Sequence, residues 1–69
     1  MYLIKIDETK KEFFHDHTQY QIDKGLVYLN KAECRYVSDM TKAKIYKSKE
    51  EAENAIEEKY EVVVKINSL

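Results

Sequence analysis

The two stretches of this sequence with the strongest strand character stand at its opposite ends. Tyr2-Leu3-Ile4-Lys5-Ile6 is rich in aromatic and β-branched residues, with Tyr2, Ile4 and Ile6 on one face and Leu3 and Lys5 on the other. Glu61-Val62-Val63-Val64-Lys65-Ile66 is a β-branched run whose three consecutive valines fit a central strand, at least partly covered on both faces. A chain of 69 residues carries apolar surface for one core only. Residues 1–69 therefore read as a single domain in which the two end strands pair, antiparallel, within one sheet.

A helix is expected to cross one face of that sheet. Ser48 followed by Glu51 is a capping box, and the spacing predicts a helix from Lys49 to about Lys59. Ala52, Ala55, Ile56 and Tyr60 share one stripe, while Glu50, Glu53, Asn54 and Glu57 face water. The expected contacts are Tyr2, Ile4, Ile6, Val62, Val64 and Ile66 with Ala52, Ile56 and Tyr60. The parity of either strand is reversible, because Val63 is equally apolar. The fold class is α+β: a small antiparallel sheet with one helix on one face and its N- and C-terminal strands paired.

The middle of the chain is less regular. Thr9 to His15 and Thr18 to Ile22 are weaker strand candidates, Asp23-Lys24-Gly25 suits a hairpin connection with Gly25 left-handed, and Leu26 to Leu29 suits the return strand. Cys34 to Val37 is a further short strand, and Ala43 to Tyr46 is either another or an extended lead-in to the helix. With no proline and one glycine, turns must be built from Asp, Asn, Ser and Lys. One glycine also excludes the glycine-rich phosphate loops of nucleotide-binding proteins, so no cofactor is expected.

Twelve basic against thirteen acidic residues give a net charge of −1, which offers no strong field to draw in nucleic acid or an anionic membrane. Cys34 is the only cysteine, so no intrachain disulfide forms and an intracellular, cytoplasmic protein is expected. The apolar run Met1 to Ile4 is too short for a signal-peptide core or a membrane span.

Arg35-Tyr36-Val37-Ser38-Asp39 and Lys42-Ala43-Lys44-Ile45-Tyr46-Lys47-Ser48-Lys49-Glu50-Glu51-Ala52 together resemble a type of short protein encoded by phages and prophages of Gram-positive bacteria. In that type an aromatic strand and a Thr/Ser-Asp turn precede a K-A-x-x-[FY]-x-[ST]-x-E-E-A helix start. The likeness spans residues 35–66, implies the cytoplasm of a host cell, and implies no particular activity. Thr9 to Asp23 fall outside the pattern and read as an insertion.

His15-Asp16-His17 would place two imidazoles on one side of an extended segment, but structural zinc takes four ligands, and exposed turn residues are the simpler reading. No metal is expected. Cys34 lacks an oxyanion loop, and Asp7, Glu8 and Glu12 lack a desolvating pocket in so short a chain, so an enzyme is not expected.

From Ser48 to Glu61 six Glu stand against two Lys, a net of −4, leaving ten basic and seven acidic residues elsewhere, a net of +3. Lys42, Lys44 and Tyr46, if on one strand, would share a face and with Lys5 and Lys65 form a basic, aromatic surface for nucleic acid. Lysines guarding sheet edges give the same pattern. Phe13, Phe14 and Tyr20 sit in the charged insertion and cannot all enter one small core, which makes an exposed ring among them an anchor for a protein partner or a second copy of the chain. The preferred expectation is a non-enzymatic protein-interaction module. A small nucleic-acid-binding protein is the alternative.

Overall fold

Residues 1–67 are described by a computed structural model of the chain. β1 (Tyr2–Ile6) is flanked by β2 (Tyr28–Asn30) on one side and β4 (Glu61–Lys65) on the other, with β3 (Arg35–Val37) beyond β2. All three pairings are antiparallel. The ends of the chain are therefore neighbours: Tyr2 lies opposite Lys65, Ile4 opposite Val63 and Ile6 opposite Glu61. Two short helices, α1 (Thr18–Asp23) and α2 (Lys49–Asn54), complete an α+β fold.

The register reverses the expected parity of β4. Val63, not Val62 or Val64, shares a face with Ile4. On that face Ile4, Leu29, Tyr46 and Ala52 are buried, with Tyr2, Tyr36, Ala55, Ile56 and Val63 packed around them. The other face is not bare. Leu3, Ala43 and Ile66 are buried there against Tyr28, Met40, Ile45 and Val64, beneath a 3-10 turn over Met40–Lys42. The sheet thus carries a small core on each side, with only Ala52 of α2 fully enclosed by one of them.

Polar side chains make the turns, as a chain without proline requires. Asp7 Oδ1 accepts from the Thr9 N–H at 3.0 Å and the Thr9 hydroxyl at 2.7 Å, and Asp39 Oδ1 repeats the arrangement with Thr41 at 2.9 and 2.6 Å. These bonds hold both carboxyls below the ordinary Asp range. Asn30 Oδ1 takes the Glu33 N–H at 3.1 Å in the loop joining β2 to β3, where Cys34 adopts a left-handed φ of 54°. Ser48 Oγ takes the Glu51 N–H at 3.1 Å at the start of α2. Ser48→Ala is expected to cost about 1 kcal/mol by removing that cap, read as a lower urea midpoint; an unchanged midpoint would show the cap to be idle.

Residues Thr18–Asp23 are helical rather than extended. Thr18 to Ile22 form most of α1 because Thr18, Gln21 and Ile22, at steps of three and one, all turn inward, while the Gln19 side-chain amide donates to Asp23 at 3.0 Å. Gly25 is left-handed, with φ 76°, but it closes a helix and not a hairpin. Its N–H donates to Ile22 C=O at 2.9 Å and the Leu26 N–H to Gln21 C=O at 2.8 Å, the paired bonds of a Schellman cap. Thr9 to His15 holds a 3-10 turn, Lys11–Phe13, and no strand. The stretch Ala43 to Tyr46 is likewise no strand: Tyr46 makes a single bridge to Tyr2, with backbone bonds of 2.8 and 2.9 Å.

α2 stops five residues before the expected Lys59. The Glu61 carboxylate accepts the Glu57 N–H at 3.0 Å and the Glu58 N–H at 3.2 Å, and these amides would otherwise continue the helical ladder. Lys31 Nζ meanwhile donates to the Ala55 C=O at 3.3 Å, satisfying a carbonyl at the frayed end.

Candidate interaction surface

Residues 7–17 leave the sheet at Asp7 and return to it through rings rather than through a ladder. The Phe13 and Phe14 amides donate to Lys10 and Lys11 C=O at 3.1 Å, which closes the 3-10 turn. The His15 N–H then donates to the Thr18 hydroxyl at 3.0 Å while the Thr18 N–H donates back to His15 C=O at 3.1 Å. Thr18 is wholly buried, so this reciprocal pair pins the segment to the start of α1.

The adjacent phenylalanines diverge. Phe14 is half-buried, its ring edge-on to Tyr60 at 5.8 Å and 88°. Phe13 is turned to solvent at 41% exposure, with the Lys59 ammonium 5.5 Å from its ring centre. Tyr20 lies on the outer side of α1 at 61% exposure, touched by Lys24 at 5.5 Å. Of the eight aromatic residues, only Phe13 and Tyr20 are exposed. Phe14 thus supports the surface from beneath instead of presenting its face.

Tyr60 is the hub under this surface. Buried at 3% exposure, it meets Phe14, His15 edge-on at 5.8 Å, and Tyr36 at 6.3 Å. His15 is hydrogen-bonded to Glu58 and stacks on His17 at 6.4 Å. Among the described residues no three His, Cys, Asp or Glu side chains gather in a group that could hold a metal ion.

Behind Tyr60 lies a group that sequence reading missed. Glu61 is a carboxylate at 5% exposure; besides the two amides, it accepts the Tyr36 hydroxyl, which sits 3.5 Å from the Tyr60 hydroxyl. Burial, with the bond to Glu61, pushes the Tyr36 phenol far above its ordinary value of 10.0. Burial also raises Tyr46. The Glu57 carboxylate, 2.6 Å from Lys31 Nζ, holds that ammonium above its ordinary range. Nothing local in the sequence marks Glu61, whose partners come from β3 and from the turn after α2.

These shifts all point to alkaline instability. A phenol neutral in the fold but ionised in the unfolded chain favours unfolding above its ordinary pKa, and a lysine held protonated loses its contribution in the same direction. Stability is expected to fall from about pH 10 upward, by up to about 1.4 kcal/mol per pH unit for the Tyr36 phenol. Thermal midpoints measured across that range should decline, and Tyr36→Phe should flatten the decline. A wild-type midpoint that holds steady through it would contradict the assignment.

The basic, aromatic surface expected for nucleic acid is not assembled. Lys5 and Lys65 stand on opposite faces, since Lys5 pairs with Val62 while Lys65 pairs with Tyr2. Lys42 belongs to the 3-10 turn, and Tyr46 is buried at 9% exposure with Lys44 5.8 Å from its ring. Tyr46 therefore has no free face on which a base could stack.

Comparison of the chain with protein-family models, curated proteins and solved structures finds no match. Among the described residues no helix is long and apolar enough to cross a membrane.

Proposed function

We propose that this chain is a non-enzymatic protein-interaction module, encoded by a phage or prophage of Gram-positive bacteria and acting in the host cytoplasm, which engages a protein partner through Phe13 and Tyr20. The observation that carries this reading is the exposure of these two rings in a chain that covers its six other aromatic residues. Exposed aromatic rings on a braced segment give contact area at low rotamer cost. Glu50, Glu51 and Glu53 on α2 are exposed and give the chain an acidic patch that favours a basic partner and speeds its approach. The phage origin rests on the resemblance of residues 35–66.

Affinity capture from a Gram-positive host lysate, followed by mass spectrometry, tests the proposal. Phe13→Ala and Tyr20→Ala are expected to abolish capture of a specific protein while shifting stability by no more than about 0.5 kcal/mol. Phe14→Ala, which strips an edge contact from Tyr60, should lower the thermal midpoint instead. Capture unchanged by both surface substitutions would sink this reading.

A further inference from the structure

β4 has the composition of an interior strand and the position of an edge strand. Val62, Val63 and Val64 follow one another, yet among the described residues no strand lies beyond β4. Its backbone shows what is missing. Asp7 N–H donates to Tyr60 C=O at 2.7 Å and Ile66 N–H to Met1 C=O at 2.9 Å, so the even-numbered residues of this strand direct their polar groups at β1. Glu61, Val63 and Lys65 direct theirs outward. Glu61 N–H is taken by Glu58 C=O at 3.0 Å, but the Val63 and Lys65 N–H and C=O groups meet no hydrogen-bond partner among the described residues.

Open grooves flank this edge on both faces. One of about 370 Å³ is bordered by Lys5, Asp7, Thr9, Val62 and Val64. The other, of about 330 Å³, is bordered by Tyr2, Lys49, Val63 and Lys65. The opposite edge differs, since β3 has only three residues, begins at Arg35 and follows the left-handed Cys34. Shortness and charge are ordinary protections for an edge strand. β4 has charge only at its two ends.

We propose that β4 pairs antiparallel with β4 of a second copy of this chain, about a two-fold axis at Val63, to make one continuous sheet. The sequence Glu61-Val62-Val63-Val64-Lys65 is its own complement in that register. Val63 N–H and C=O exchange bonds with the partner's Val63, and Lys65 N–H donates to the partner's Glu61 C=O on each side of the axis. Val62 lies opposite the partner's Val64, and Lys65 opposite the partner's Glu61, whose carboxylate is buried against Tyr36 and the Glu57 and Glu58 amides, so opposite charges stand near each other at both ends without direct contact. The closed two-fold arrangement leaves no β4 edge to recruit a third copy. A strand from a different protein would satisfy the same backbone groups without this self-complementarity. The pairing does not depend on the Phe13 and Tyr20 surface.

Sedimentation equilibrium from about 1 µM to about 1 mM protein, combined with amide hydrogen exchange by NMR, tests the pairing. The expected result is a concentration-dependent dimer in which the Val63 and Lys65 amides slow by at least about tenfold as the dimer fills. Lys65→Glu sets two acidic residues opposite each other at both ends and is expected to weaken the dimer at least about tenfold. Val63→Pro removes the outward donor of the ladder, together with the Val63 packing beside Ile4, and should do the same, its fold being checked by circular dichroism. A monomer throughout the range overturns the proposal, as does a dimer in which these two amides exchange at the monomer rate. A dissociation constant unmoved by Lys65→Glu overturns it as well, even if Val63→Pro fails to fold.

Discussion

Glu61→Ala is expected to leave the chain largely unfolded. The substitution strips the acceptor from the Glu57 and Glu58 amides and from the Tyr36 hydroxyl, all within the part-buried cluster around Tyr60. A donor left without a partner costs about 1–3 kcal/mol where water is excluded, and less at the part-buried Glu57 and Glu58 amides. A domain this small holds only about 3 to 5 kcal/mol in total, so the loss removes most of the margin. Glu61→Gln separates size from charge, since its carbonyl oxygen still accepts both amides while an NH2 donor replaces the oxygen that accepted the Tyr36 hydroxyl, which loses that bond. It should recover about half of the loss in urea denaturation followed by circular dichroism. A Glu61→Ala chain within about 1 kcal/mol of wild type would mean that the carboxylate is a bystander and that α2 ends for another reason.

That residue also marks where sequence reading stops. The capping signal at Ser48 and the strand character of the two apolar ends are local patterns, and the structure has both, with the end strands paired as expected. Asp7 and Asp39, each two residues before a threonine, bond to it alike because the geometry needs only three consecutive residues. The far end of α2 is different. Ala55, Ile56 and Tyr60 have helical spacing and do reach the first core or its aromatic fringe, but only Ala52 does so from within the helix. The competing acceptor is a side chain belonging to a strand, which no pattern within 49–60 announces.

Thr18 to Ile22, expected as a strand, differ for a related reason. Thr18, Tyr20 and Ile22 alternate as a strand would, and Thr18, Gln21 and Ile22 recur as a helix would, so five residues fit both periods. Gly25 does not decide between them, because a left-handed glycine serves a hairpin and a helix end equally well and only its hydrogen-bond partners tell which. Among the expected partner residues Phe13, Phe14 and Tyr20, exposure of an aromatic ring was legible from crowding alone. Which of Phe13 and Phe14 turns outward was not, since the choice depends on Tyr60 standing beneath the segment. The sheet lysines fail as a group because their coherence required Ala43 to Tyr46 to be a regular strand, and one bridge at Tyr46 is all that forms.

Ile4→Ala is expected to be the most damaging change within the first core. Ile4 is 1% exposed on the central strand, opposite Val63, and joins Leu29, Tyr46 and Ala52 in a cluster that ties both strand neighbours to α2. Truncating a buried isoleucine costs about 2–5 kcal/mol, and Ile4→Val about 0.5–1.5 kcal/mol. Against a total of about 3 to 5 kcal/mol, the alanine chain should be substantially unfolded and the valine chain merely weakened. Kinetics adds a sharper expectation. Pairing Tyr2 with Lys65 closes a loop of nearly the whole chain, a contact whose entropy cost favours late formation. Ile4→Val should then act mainly by speeding unfolding, with the refolding arm of its chevron close to wild type. A refolding rate that falls in step with stability would instead place the union of the two chain ends in the folding nucleus.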